Sequence, residues 1–292
     1  MIILNVFEII APVFFLSLIG FLWVRMGFDY NVQFVTRLSM TLAVPCLIFV
    51  SLMKTNIAAN FLLTVSAATI VAYLLVTILS LVAVKLLSLK VKTYLAPLIF
   101  GNTGNMGLPL AYFAFGEEGL GYAVVIFSIM VLYSFTFGIW IVSGGGAFLK
   151  IVKEPLVGAT ILGAVFLWQE WETPKYLTST LDLIGQMAIP LMLITLGVAI
   201  GRLKSQNLPK AFLNVLVKFS ICVLCATLSA YWFELQKVPF AVLLLQLSTP
   251  VAVTSYLLAA KYEADSESVA SLVIVSTVFS AAYIPILLLF LI

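Results

Sequence analysis

In the stretch FGNTGNMGLPLA, residues 100–111, Asn102, Thr103 and Asn105 alternate with Gly101, Gly104 and Gly107, and Pro109 follows. A second stretch, LLLQLSTPVAVTS at 243–255, sets Gln246, Ser248, Thr249 and Pro250 in an equally apolar run. Amides and hydroxyls are weak nucleophiles without a base beside them, and the chain has no histidine to supply one. The same lack removes HExxH metal sites and Ser-His or Cys-His pairs. No pair of acids lies deep in the apolar runs, so an aspartyl dyad has no candidate. These side chains can instead exchange hydrogen bonds with a solute, or with backbone groups freed by the glycines and prolines. The chemistry they offer is recognition, not catalysis, and no metal or organic cofactor is expected.

Their surroundings are close to hydrocarbon. Of 292 residues, 63% are hydrophobic and 9% charged, with mean hydropathy +1.21, whereas soluble chains run nearer a quarter charged. Apolar stretches of about 20 residues recur, each long enough to cross a bilayer core of roughly 30 Å. The composition describes an all-α integral membrane protein. Its net charge of +3 is spread over short loops and gives no footprint for nucleic acid. The opening MIILNVFEIIAPVFF lacks the basic flank of a signal peptide and carries Glu8, so it is expected to be retained as the first helix. Cys46, Cys222 and Cys225 lie inside apolar runs and read as small packing residues; no βαβ pattern surrounds the 222–225 pair.

Ten spans follow from the apolar windows: 3–24, 32–53, 61–84, 95–115, 120–142, 155–169, 177–200, 211–233, 239–260 and 268–291. The sixth is short, and a tilt or an extension through Trp171 is expected to complete it. With the N-terminus outside, eleven basic residues fall on the inner side, among them Arg25, Arg37, Lys90, Lys150, Arg202 and Lys210. Only Lys54, Lys175 and Lys237 fall outside, and Lys218 lies within a span. Both termini are therefore expected on the outer face of the cell membrane. Five spans per half then turn the second half upside down relative to the first.

The halves also resemble each other. LAVPCLIFVSLMK (42–54) and MAIPLMLITLGVA (187–199) align on Pro45 and Pro190, and the same offset of 145 carries the glycine-asparagine stretch onto 243–255. Repeats are expected at 1–146 and 147–292, with SGGGA (143–147) as the joint. Interrupted spans in corresponding positions of two inverted halves point to a midplane site. From Tyr94 to Asn105 is about 16 Å of helix, and from Val238 to Ser248 about 15 Å, so both breaks fall near mid-membrane.

A helix that unwinds in lipid exposes backbone groups at several kcal/mol each, so the breaks must face protein or water. The glycines allow extended or left-handed turns, and Pro109 suits the first turn of the outgoing half-helix. In the ninth span Thr249 reads as an N-cap and Pro250 as the first helical residue. Two half-helix N-termini, each carrying roughly +0.5 charge, would then meet at the midplane and favour an anion.

The GNTGNMGLP and STPVAVTSY breaks, within ten short-looped spans, resemble the auxin efflux carrier family, whose members include plant PIN-type exporters and bacterial malate or malonate carriers. The resemblance covers essentially the whole chain. It implies two inverted five-helix repeats with helices 4 and 9 broken and crossing, helices 1, 2, 6 and 7 as scaffold, and the other six as a moving transport domain. The family's polar crossing residues correspond to Asn102, Asn105, Ser248 and Thr249. Two features depart from the plant exporters: the long cytosolic insert between halves is missing, and the third span has no acid.

Further residues carry two readings each. Lys218 lies about 12 Å into the eighth span; it either snorkels to the inner surface or stays buried as a counter-charge or a substitute for a coupling cation. Glu8 is a solvated helix-end carboxylate or a proton carrier, and Asp182 a solvated carboxylate. Gln246 lines the site or bonds a neighbouring backbone. Gly197 and Gly201 form a GxxxG that permits close contact within the scaffold or across a homodimer. Ser39, on the second span, is expected to have no part in the site. The expected function is secondary transport of a small organic anion by an elevator-like or rocking exchange. The coupling ion, proton or sodium, stays open, as do a bile-acid-symporter-like scheme and a non-transporting receptor.

Overall fold

Among the described residues seven helices are long and apolar enough to cross a membrane: Val6–Arg25, Val32–Lys54, Asn60–Leu86, Thr103–Ser143, Lys175–Arg202, Leu208–Trp232 and Ser266–Leu291. Pro155–Trp168 and Lys237–Ser248 are shorter apolar helices. The computed structural model describes residues 2–55, 57–143, 155–203 and 207–292. Among them every regular element is helical, apart from one isolated antiparallel bridge. The chain is a multi-pass integral membrane protein.

In chain order the helices are α1 (Ile2–Arg25), α2 (Val32–Leu38), α3 (Val44–Lys54), α4 (Ala59–Leu86), α5 (Val91–Ile99), α6 (Leu108–Tyr133) and α7 (Ile139–Ser143). Then come α8 (Pro155–Trp168), α9 (Lys175–Gln186), α10 (Ala188–Arg202), α11 (Leu208–Trp232), α12 (Lys237–Ser248), α13 (Val253–Lys261) and α14 (Ser266–Leu291). Prolines explain several of the divisions. Pro45 lacks an N–H and crowds the carbonyl four residues back, and a π-helical turn, Ser39–Ala43, joins α2 to α3 there. Pro190 stands in the same relation to the α9–α10 junction at Met187. Within α6, Gly116 takes φ +62° and ψ −150°, a conformation other residues rarely reach, and divides the helix in two.

Close packing joins distant parts of the chain. α1 lies along α10, α3 against α8 and α9, and α11 against α4, α12 and α14. The α1–α10 approach rests on small residues: a side chain at Gly197 would overlap the Ser17 carbonyl, and one at Gly20 the Ile194 carbonyl. Gly201 packs on Val24 and Phe21. The GxxxG thus makes a close helix contact within the chain. The largest fully buried side chains include Leu98, Ile99, Met106, Leu108, Leu243 and Leu245, which surround the two interrupted helices.

Other expectations change. α8 ends at Trp168, about 21 Å of rise, and does not continue through Trp171; Glu170, at φ +53°, turns the chain away. Asp182 is paired, its Oδ2 3.0 Å from Lys54 Nζ. Both are half exposed, and such a pair contributes about 0–1 kcal/mol. Arg202 Nη2 donates to the Tyr30 carbonyl at 2.7 Å, and Lys237 Nζ to the Ile292 carbonyl at 2.8 Å. Beyond Ser143 the expected joint, and the boundary at 146/147, lie outside the described residues.

Candidate functional site

The two interrupted helices cross as extended strands. After α5 ends at Ile99, Phe100 is extended and Gly101 pairs with Val251 in the antiparallel bridge. The Asn102 N–H donates to the Pro250 carbonyl at 2.7 Å, and the Ala252 N–H to the Phe100 carbonyl at 3.4 Å. A π-helical turn, Thr103–Gly107, then leads into α6, with Pro109 in its first turn. The backbone groups freed by each break are therefore partly satisfied by the other.

Two local expectations are corrected. Thr249 is not the N-cap of the outgoing half-helix. It follows the last residue of α12 at φ −55°, ψ 150°, and its hydroxyl donates to the Gln246 carbonyl at 2.7 Å. α13 begins only at Val253. The reason is Pro250, which pushes Thr249 before it into the extended region, and the extended path continues where Val251 pairs with Gly101. Nor do the glycines supply left-handed turns, since positive φ among described glycines occurs at Gly27 and Gly116. They supply closeness. A side chain at Gly101 would overlap Thr249 Oγ1, one at Gly107 would overlap the Gln246 amide, and one at Gly104 would lie 2.9 Å from the Phe127 ring.

A cavity of about 310 Å³ opens beside the crossing. Gly101, Asn102, Gly104 and Asn105 line it from the first break, and Ala252, Val253 and Thr254 from the second. Phe127 and Met130 of α6 face Met192 and Thr195 of α10 across it. Mostly apolar walls with a few polar groups are typical of a small-molecule site. Asn102 Nδ2 is buried without a hydrogen-bond partner. Such donors either meet a ligand or water or leave a desolvation penalty of about 1–3 kcal/mol.

Of the residues singled out by sequence, Asn102, Gly104 and Asn105 line this cavity. Thr103 is buried beside it with its hydroxyl unpartnered, and Pro109 is buried within α6. Gln246 is fully buried against Gly107, with both amide atoms unpartnered and no share in the cavity lining. Ser248, Thr249 and Pro250 face the other way, onto a small pocket shared with Lys218. Glu8 is exposed on α1 and lines none of these cavities.

Lys218 does not snorkel. It is 3% exposed, and its Nζ donates to Cys222 Sγ at 3.6 Å. Its pocket, about 10 Å³, is lined by Ser248, Thr249, Pro250, Ser276 and Tyr283, with no carboxylate. That volume is near the minimum for one water. The Tyr283 hydroxyl donates to the Ser248 carbonyl, and the Val251 N–H to Ser276 Oγ at 2.9 Å. The ammonium therefore sits at the carbonyl end of α12, where a cation is favoured.

Other lining residues carry no sequence signal of their own. Thr36 and Ser39 project from the second span, and the buried Ser39 hydroxyl has no partner, so its exclusion from the site is corrected. The cavity adjoins a vestibule of about 980 Å³ that shares Val32, Thr36, Met40, Val253 and Leu257 and adds Tyr30, Arg37 and Arg202. Tyr30 bonds Thr195 through its hydroxyl at 2.7 Å, and burial pushes that hydroxyl above its usual pKa. A spacing of three between Thr36 and Ser39 put both on one helical face; which face turned inward was not written in the sequence.

Known proteins bear on this arrangement. A family model described as "Membrane transport protein" matches residues 5–150 and 145–288. An uncharacterized transporter of Methanothermobacter thermautotrophicus is 26% identical over 95% of this chain and 96% of its own. An uncharacterized transporter of Methanocaldococcus jannaschii is 23% identical over 94% of each. With both interrupted helices inside the matched residues, the chain belongs to the membrane transport protein family, that of the auxin efflux carriers.

Proposed function

We propose that this protein is a secondary carrier of a small organic anion, a carboxylate, working by alternating access at the crossing of helices 4 and 9. The cavity beside the crossing carries the reading. The first residues of both outgoing half-helices line it, Thr103–Gly107 contributing Gly104 and Asn105, and α13 contributing Val253 and Thr254. Helix N-termini present free N–H groups and about half a positive charge each. Asn102 and Asn105 add side-chain donors, and Arg37 and Arg202 against Asp29 leave the adjoining vestibule with a net positive lining that draws anions inward.

The supporting architecture is ten crossings in two inverted repeats, 1–146 and 147–292. Reading α2 with α3, α5 with the first half of α6, the rest of α6 with α7, α9 with α10, and α12 with α13 gives ten. The family match in two stretches supports the repeat. The Lys54–Asp182 and Arg202–Tyr30 contacts join ends that this topology puts on the same side, with both termini outside the cell membrane. Packing of α1 on α10 and of α3 on α8 and α9 supports a scaffold of helices 1, 2, 6 and 7. Packing of α11 with α4, α12 and α14 supports a separate transport unit carrying the crossing and Lys218. In this reading Lys218 takes part in coupling, as a fixed positive charge behind the crossing.

Flux into proteoliposomes containing only this protein tests the reading. A carrier gives saturable uptake of a labelled carboxylate, accelerated by unlabelled anion on the opposite side. Flux without saturation or counterflow would indicate a channel, and no flux with any carboxylate a receptor.

A further inference from the structure

Apart from the crossing, a second polar cavity of about 310 Å³ lies where the loop after α4 meets the starts of α11 and α14. Lys90 and Lys210 line it, and both are exposed. Lys90 precedes α5 and Asn207 precedes α11, and neither helix has a side-chain cap. Two first turns, of helices nine and 25 residues long, thus keep amide donors without a side-chain acceptor at this cavity. The third helix start differs: Asp265 caps α14, accepting from the Ser268 N–H at 3.0 Å and the Ser268 hydroxyl at 2.7 Å. Those bonds, with Lys90 nearby, hold the Asp265 carboxyl below its usual pKa, so its charge is permanent and already engaged.

The independent sign of a ligand is Asn214. It lines the same cavity, is 2% exposed, and its Nδ2 has no hydrogen-bond partner. A buried, unpartnered amide donor at the wall of a polar cavity that two lysines and two uncapped helix starts also line calls for an acceptor. We infer that this cavity binds a phosphate-type oxyanion, either free or as the headgroup of an anionic lipid. Free phosphate presents three or four acceptor oxygens, and a phosphodiester headgroup two charged ones in a tetrahedral arrangement, to donors arriving from different directions on α5 and α11. The net lining charge, two lysines against Asp265, is positive. The cavity lies at the start of α5 and the crossing at its end, about 13 Å apart along the helix. Lys85 at the end of α4, Lys90 and Lys92 at the start of α5 and Lys210 at the start of α11 outnumber Asp265 and Glu267 at the start of α14, and a net basic surface of that kind faces anionic headgroups. The inference does not depend on what is carried at the crossing.

Thermal unfolding of the detergent-purified protein tests it. Two probes are used, each against its control: inorganic phosphate against chloride at equal ionic strength, and phosphatidylglycerol against phosphatidylcholine in mixed micelles. At several times its Kd, a bound probe raises the Tm of a chain this size by about 2–4 °C. A rise with phosphate identifies a soluble anion, and a rise with phosphatidylglycerol alone identifies a headgroup. In either case Asn214→Ala and Lys210→Gln should abolish most of the rise. Lys210 is exposed, so its glutamine variant keeps the test decisive if the Asn214 variant misfolds. No rise with either probe, or a rise undiminished in Lys210→Gln, overturns the site.

Discussion

Gly101 and Val251, 150 residues apart in sequence, face each other in a single antiparallel bridge where the two interrupted helices pass. The bridge explains how a membrane protein tolerates two unwound stretches in its interior. Phe100 and Pro250 offer carbonyls, Asn102 and Ala252 offer N–H groups, and each break answers the other. The side-chain amides of Asn102 and Asn105 are then not consumed in repairing the backbone.

The bridge requires a bare α-carbon at Gly101. Gly101→Ala would force its new methyl onto Thr249 Oγ1, an overpacking that destabilises by about 1–3 kcal/mol. Its Tm in detergent should fall by several degrees. Gly158→Ala, with open space around its α-carbon, should be neutral or mildly stabilising. Equal melting of the two variants would mean that the strands can part freely.

Ser39 reaches the cavity from the opposite wall, on the second span. Ser39→Ala should lower carboxylate affinity by roughly tenfold or more, the worth of a neutral donor bonded to a charged acceptor. Thr180→Ala, exposed on α9, is the control and should bind like the parent. Binding measured by calorimetry distinguishes the two; an unchanged Ser39 variant would restrict the site to the crossing wall.

Lys218→Met keeps length and apolar bulk but deletes the charge at the end of α12. The fold should survive, because methionine suits a buried site flanked by Phe219 and Cys222. Transport should lose roughly tenfold in rate or affinity, given the strength of a charge at a helix terminus out of reach of bulk water. A variant with parental rate and affinity would remove Lys218 from the mechanism.

The bias of basic residues predicts Lys90 inside and Lys175 outside. With the native cysteines replaced, Lys175→Cys in intact cells should react with an impermeant thiol reagent, and Lys90→Cys should react only after lysis. The opposite pattern would reverse the orientation of the whole chain.

The positions of the breaks were legible because Gly, Asn and Pro are conspicuous in an apolar run, and Asn102 and Asn105, which line the cavity, could be placed at the first break from sequence alone. Thr249 was misplaced because a cap rule is local. Whether a threonine before proline starts a helix or ends one was decided here by the pairing of Val251, two residues on, with Gly101, a partner remote in sequence. Ser39, Tyr30 and Arg202 became site or vestibule residues through helix rotation and packing, which an all-round apolar helix leaves unspecified. Lys218 was visible as an oddity, but its direction depended on α12 ending beside it.

The central claim is that the cavity at the crossing holds a carboxylate through Asn105 and its neighbours. The direct measurement is calorimetric titration of malate, malonate, succinate and indole-3-acetate into the parent and into Asn105→Ala, with monodispersity checked for both. A charged acceptor bonded to a neutral donor contributes about 1.5–3 kcal/mol, so the best-bound acid should lose roughly ten- to a hundredfold in affinity on Asn105→Ala. A folded Asn105→Ala protein that binds the same acid as tightly as the parent would contradict the account, and Asn105 would then serve the helix break alone.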